Sequence, residues 1–267
     1  MSSPTALKHY FDEKLATRIA ELIKPLDQQF PADSFIERVA KAVGPFELKK
    51  RVEVIADELY RALPEDYEQA LSILMHILGP ENQSEKGMFT EGYFLMPITF
   101  FVEKYGVHDF EGSMTALYKM TKRHTSEYAV RPFINAYESD CLQLFEKWRK
   151  DPNAHVRRLV SEGTRPRLPW AKKINVLGGD PANNLSLLAP LFHDSSPYVR
   201  KSVANHVNDL SKEHRALVLD YIEARLENEG EHGIQTARHA LRTLTKVEDK
   251  GAIALLKNFQ KEGAALK

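Results

Sequence analysis

Four residues recur at one spacing, and that recurrence limits the fold more than any other feature of the chain. In WRKDPNAHVRRLV, Asp151, Val156, Arg157 and Val160 are matched by Asp194, Val199, Arg200 and Val203 of HDSSPYVRKSVANHV, each 43 positions on. A weaker third copy, GIQTARHALRTL, places Ala237, Arg238 and Leu241 a further 38 positions along. A period of about 40–47 residues with an aspartate ahead of a Val-Arg pair is the HEAT pattern, two antiparallel helices per repeat. One such pair cannot bury its own apolar face, so neighbouring repeats must stack. The expected architecture is an all-α, HEAT-like helical-repeat solenoid with a concave basic surface. It is expected to form a single domain over 1–267, with the clearest repeats in 140–260. The aspartate is placed to cap the second helix of each pair, and the residue three or four places after Val-Arg belongs on its buried face. Arg157, Arg200 and Arg238 then stand at equivalent positions. Each either binds the aspartate of a neighbouring repeat or faces a ligand, and the sequence leaves both open.

The rest of the chain reads as helix in the same way. Ser34-Phe-Ile-Glu37 has the form of a capping box before an apolar-periodic run that stops at Gly44-Pro45. Phe46 to Leu63 carries Leu48, Val52, Ile55, Ala56, Leu59 and Leu63 at a period near 3.6, and Tyr67 to Leu78 continues similarly. The polar segment 81–91 is the best candidate for a long loop, and Gly178-Gly179-Asp180-Pro181 for a turn. No alternating run with flanking turn signals appears, which excludes a credible sheet. With 43% apolar and 28% charged residues the 267-residue chain has the balance of a soluble globular protein. The longest apolar run, Phe94 to Val102, is about half of what a membrane-spanning helix needs. The charged N-terminal stretch lacks an apolar signal core, so the expected location is cytoplasmic, without a membrane partner and as a monomer.

Net charge is zero, but it is unevenly spread. Residues 1–120 hold 13 basic and 19 acidic side chains, and residues 121–267 hold 24 and 18. Lys147, Arg149, Lys150, Arg157, Arg158, Arg165, Arg167, Lys172 and Lys173 fall within 147–173 against only Asp151 and Glu162. Such a stripe either neutralises phosphates or is a solvated charged face. Arg157, Arg158, Arg165, Arg167, Lys172, Lys173, Arg200, Lys201 and Arg238 are the candidate DNA-binding residues.

The least ordinary stretch is Ser161-Glu-Gly-Thr-Arg-Pro-Arg-Leu-Pro-Trp170. Gly163 is a natural stop for the helix holding Val156 and Val160, which leaves Glu162 at the negative end of a helix dipole where an acid is disfavoured. Arg165-Pro166 and Leu168-Pro169 force extended backbone, because the residue before proline is driven out of the helical region. The product is a short rigid strap with two arginines and a tryptophan at its end. A local rule broken without packing benefit points to function. The alternative is plain: Glu162 pairs with Arg165 or Arg167, and Trp170 fills a gap between repeats.

Three stretches, Thr125-Ser-Glu-Tyr-Ala-Val-Arg-Pro-Phe133, Ser161 to Trp170, and Ser202-Val-Ala-Asn-His-Val-Asn-Asp209, resemble the HEAT-like DNA alkylation repair glycosylases, nearest to the AlkC branch of the AlkC/AlkD superfamily. The resemblance implies an enzyme that excises positively charged N-alkylated bases, such as 3-methyladenine, 3-methylcytosine or 7-methylguanine, from double-stranded DNA. It also implies that Asp209, Glu162, Glu127 and Trp170 are catalytic. Some AlkC-like proteins carry a C-terminal immunoglobulin-like domain. This chain runs instead into the helical KGAIALLKNFQKEG, so the branch without that domain is expected. The implied chemistry suits these residues. A base that already bears a positive charge leaves as a neutral molecule and needs no general acid. What needs stabilising is an oxocarbenium-like sugar, and water must be placed on its far face. Carboxylates do both, and an indole face attracts the cation.

Local alternatives stand beside each assignment. Glu127 follows Thr125-Ser126 at an expected helix start, where an acid merely complements the dipole. Asp209 precedes Leu210-Ser211 at a helix end and is placed to cap the next helix, with Asn205 and His206 holding that turn. The single cysteine, Cys141, and the absence of H-E-x-x-H or similar spacing argue against a metal site. No glycine-rich phosphate loop is present, so no cofactor is expected. A non-catalytic HEAT-like protein that holds unusual DNA structures is the competing functional reading.

Overall fold

A computed structural model of the chain describes residues 6–86, 92–169, 171–226 and 231–265, except the side chains of 231, 232 and 260–265. The described residues contain helices and no strand, the all-α class read from the repeat. None of the helices among them is long and apolar enough to cross a membrane. The chain divides into two compact units, Met1–Phe133 and Ile134–Lys267.

The first unit holds α1 (Glu13–Ile23), α2 (Ala32–Val43), α3 (Leu48–Ala62), α4 (Tyr67–His76), α5 (Met96–Tyr105) and α6 (Phe110–Thr121), and its boundary falls inside the short α7 (Arg131–Ala136). Phe11, Phe30, Phe35, Ile55, Leu59 and Phe101 are fully enclosed in its core. Buried Arg51 donates to the carbonyls of Phe46, Gly44 and Phe11, so the α2–α3 link and the N-terminal segment share one guanidinium. The capping box does not form. Helix α2 begins at Ala32, two residues before Ser34, whose hydroxyl donates to the Pro31 carbonyl, while Glu37 pairs with Lys41. Pro31, with its fixed φ, starts the helix ahead of the serine. Residues 81–86 are loop, as expected, and 87–91 lie outside the described residues.

The second unit holds α8 (Glu138–Trp148), α9 (Ala154–Gly163), α10 (Pro181–Leu188), α11 (Pro197–Ser211), α12 (Arg215–Leu226), α13 (Glu231–Ala240), α14 (Arg242–Lys246) and α15 (Lys250–Ala265). Helices α9, α11 and α13 pack side by side as second helices of successive repeats. The matched apolar positions, Val156, Val160, Val199, Val203, Ala237 and Leu241, all have zero exposure, so the repeat register read from sequence is the register of the core. The aspartates do not cap. Asn153 and Ser196 are the caps, and Asp151 and Asp194 each accept from the backbone N–H of the cap two residues on. The turn at Gly178-Gly179 is real, with φ of 60° and 73°. A β-carbon at 178 would come within 2.8 Å of the Asn183 amide nitrogen, so glycine is required on both counts. The turn delivers Asp180 to cap α10.

Candidate active site

Glu162 occupies the last turn of α9, as its position before the strap suggested, but Gly163 does not end the helix in a left-handed conformation. Thr164 ends it, returning its hydroxyl to the Val160 carbonyl at 2.7 Å before Arg165-Pro166 turns the chain away. The carboxylate of Glu162 is buried at the unfavourable end of the dipole and is held there by two donors. Arg165 Nη1 reaches its Oε1 at 2.5 Å, and the Ser202 hydroxyl reaches its Oε2 at 2.5 Å. Burial pushes the Glu162 pKa up. Arg158 and Arg165, with the hydrogen bonds from Ser202 and Arg165, outweigh it and leave the group below the ordinary glutamate value. The side chain is therefore a carboxylate at neutral pH.

The same guanidinium carries a second carboxylate. Arg165 Nε and Nη2 both lie 2.9 Å from Asp209 Oδ2, and Lys212 Nζ lies 3.2 Å from Oδ1. Asp209 sits inside α11 and does not cap α12. Arg165, Glu162 and Asp209 are each no more than 6% exposed. Two carboxylates in so dry a setting need a cation between them, and breaking one side would leave an uncompensated buried charge. The strap proline thus has a use: it aims Arg165 across to α11 instead of letting the helix continue.

Beneath this triad lies a polar network that sequence inspection noticed only as a turn. His206 is fully buried, with Nδ1 2.9 Å from the Ser161 carbonyl and Nε2 3.1 Å from Asn184 Nδ2. Asn184 Oδ1 accepts from the Leu177 N–H, so its nitrogen faces the imidazole and donates. Nε2 is then the acceptor, and Nδ1 carries the proton that binds Ser161. The other hydrogen of Asn184 Nδ2 reaches the Thr164 carbonyl at 3.3 Å. One neutral imidazole and one amide therefore tie α9, the strap, α10 and α11 together. Burial holds the imidazole at a pKa of about 4, partly offset by its bond to Ser161. Ser202 and Asn184 were missed as site residues. A serine 40 positions from its glutamate leaves no local signal.

The other expected residues are placed differently. Glu127 is buried in a turn before α7, in the first unit, rather than at a helix start. Trp170 lies outside the described residues. Arg157 is bidentate to Asp194 of the next repeat, at 2.6 and 2.9 Å, and also donates to the carbonyls of Asp151 and Pro152. Arg200 repeats the last two bonds on Asp194 and Ser195 and is 7% exposed. Of the two roles the repeat allowed, Arg157 takes the inter-repeat ladder, whereas Arg200 is turned onto the carbonyls of its own loop and is buried there. Arg238, Lys201, Lys172 and Lys173 are exposed, Arg167 pairs with Glu213, and Arg158 lies 4.9 Å over the Tyr198 ring. No group of three or more histidine, cysteine or acidic side chains among the described residues is arranged to hold a metal ion.

Comparison with known proteins gives the family and the fold. Residues 121–246 match the family model described as DNA alkylation repair enzyme. An uncharacterised Bacillus subtilis (strain 168) protein, YhaZ, is 37% identical over 250 residues, which is 93% of this chain and 67% of that protein. The Pseudomonas fluorescens alkylpurine DNA glycosylase AlkC, solved bound to DNA containing an abasic site analog, superposes with a TM-score of 0.84 at 35% identity, covering 95% of this chain and 69% of its own. By its helical-repeat fold and these matches, the chain belongs to the family of DNA alkylation repair enzymes.

Proposed function

We propose that this protein is a monofunctional DNA glycosylase that hydrolyses the N-glycosidic bond of positively charged alkylated bases in double-stranded DNA. The observation that carries the reading is the Glu162–Arg165–Asp209 triad, two buried carboxylates kept together by one strap arginine. An oxocarbenium-like sugar is stabilised by fixed negative charge in a partly dry site, where Coulomb attraction is least screened. Asp209 supplies that charge and orients the attacking water. Glu162, whose two oxygens are taken by buried Arg165 and Ser202, acts through Arg165 as a positioning residue. Asp209 Oδ1, by contrast, is bonded among the described residues only by the part-exposed Lys212. The roles that the resemblance gives Glu127 and Trp170 belong to the same proposal. The P. fluorescens enzyme was captured on an abasic site analog, which is the kind of product that base loss leaves.

The test is to incubate the protein with methylated duplex DNA and identify the released bases by mass spectrometry. Release of 3-methyladenine, 3-methylcytosine or 7-methylguanine supports the reading. Binding without release of any base would favour the non-catalytic alternative, in which the triad serves only the fold.

A further inference from the structure

Arg157 is held by the ladder and Arg200 by its own loop, so neither is free to meet a ligand. Arg158, Lys201 and His239 follow Arg157, Arg200 and Arg238 and keep the same 43- and 38-residue spacing. On α9, Arg158 is one turn before Glu162. On α11, Lys201, Asn205 and Asp209 are four residues apart, so all three share one face. That face bears the carboxylate of the triad at one end and an exposed lysine at the other.

The junction of α13 and α14 is fastened to this same face. His239 Nε2 and Asn205 Oδ1 are 2.9 Å apart, and the Thr243 N–H donates to Asn208 Oδ1 at 3.2 Å. Between these two anchors stands Arg242, whose Nη1 donates to the His239 carbonyl at 2.7 Å. Among the described residues neither Lys201 nor Arg242 forms a salt bridge with a carboxylate. Two cations and an imidazole are thus gathered on one face, where the carboxylate of Asp209 is already bonded by Arg165 and Lys212. The resulting field acts on the imidazole: burial, then Arg242 and Lys201, hold His239 below its ordinary pKa. The bond of the Thr243 N–H to Asn208 brings Arg242 beside Asp209, at the edge of the triad, and its guanidinium senses the charges of Asp209 and Arg165.

We propose that Lys201, His239 and Arg242 form a subsite for one backbone phosphodiester of a DNA strand, beside the Arg165–Asp209 pair. A phosphodiester removes the repulsion between the two cations and accepts hydrogen bonds from the lysine ammonium and the guanidinium. Its position at the edge of the triad would fix the register of the strand relative to Asp209, since phosphate contacts position and do not read sequence. The identity of the ligand rests on the glycosylase reading.

The experiment is a cycle between protein and DNA. Wild type and the Lys201→Gln/Arg242→Gln variant are titrated with duplexes containing an abasic analog, in which single phosphates near that site are replaced by neutral methylphosphonates. Lys257→Gln, an exposed change on α15, controls for lost charge. The expected result is that one methylphosphonate position weakens wild type by roughly tenfold and leaves the double variant indifferent. The slope of log affinity against log salt should also fall by about one in the double variant and not in the control. Equal losses in both proteins at every position, or an unchanged salt slope, would overturn the subsite. Both substituted side chains are exposed, and an unchanged melting temperature confirms that the variant is folded. Coupling in a protein that releases no base leaves the subsite standing and removes the glycosylase reading. Base release without coupling does the reverse, and a wild type that does not bind DNA overturns both.

Discussion

Asp209 and His206 show how much of this site is decided by single buried groups. Asp209 is bonded on one oxygen by Arg165 and on the other by Lys212, so its charge is fixed in place before any substrate arrives. Exchanging that carboxylate for an amide keeps the shape and removes the charge. Asp209→Asn is expected to slow single-turnover base release by on the order of 10²-fold or more while DNA affinity stays nearly unchanged; near wild-type rates would dismiss the assignment. His206 leads to a prediction about pH. Its folded pKa of about 4 lies below the ordinary value of 6.5, so the unfolded chain takes up the proton first as pH falls. Its contribution is complete above pH 6.5 and is lost between 6.5 and 4, up to about 3 kcal/mol. Chemical denaturation of wild type across that range is expected to show this loss, and His206→Asn, although less stable at pH 7, a shallower slope. Parallel slopes would mean that another group titrates.

At the scale of helices, the ladder sets the spacing of the repeats. Arg157 spans from its own loop to Asp194 of the next repeat, and Arg200, 43 residues on, repeats only the bonds to its own loop carbonyls, so both guanidinium groups serve the fold. Arg157→Ala with Arg200→Ala is expected to lower the melting temperature by several degrees, since stranding the buried Asp194 carboxylate alone costs about 3 kcal/mol. The salt dependence of DNA binding is expected to stay put. A reduced slope with an unchanged melting temperature would return these residues to the phosphate backbone. The sequence displayed the helices and their register because Val156, Val199 and Ala237 must all be buried for the repeats to stack. It misjudged ends, where competing local signals are close in energy: Pro31 overrode Ser34, Asn153 and Ser196 took the caps expected of aspartates, and Thr164 did what Gly163 was expected to do. The Glu162–Arg165 pairing was legible at a spacing of three. Its extension to Asp209, 44 residues away, was not, because it depends on how α9 and α11 stack. Asn184 was invisible for the same reason, since only the packed second unit brings it against His206.

Across the whole molecule, membership of the alkylation repair family and a close structural likeness to an alkylpurine glycosylase are joined to a proposed site in which Glu162, Arg165 and His206, among the described residues, offer no ready proton donor. Glu162 is held ionised, His206 is neutral and fully enclosed, and Arg165 keeps its proton because both carboxylates favour its charge over the cost of burial. Such a site suits a leaving group that is already cationic. A neutral lesion, whose base departs as an anion unless protonated, gains little from it. The most direct test compares two duplexes at neutral pH, one carrying 3-methyladenine and one carrying uracil, by single-turnover base release. The account predicts release of 3-methyladenine and none of uracil above the uncatalysed rate. Efficient excision of uracil, with 3-methyladenine released poorly, would contradict it.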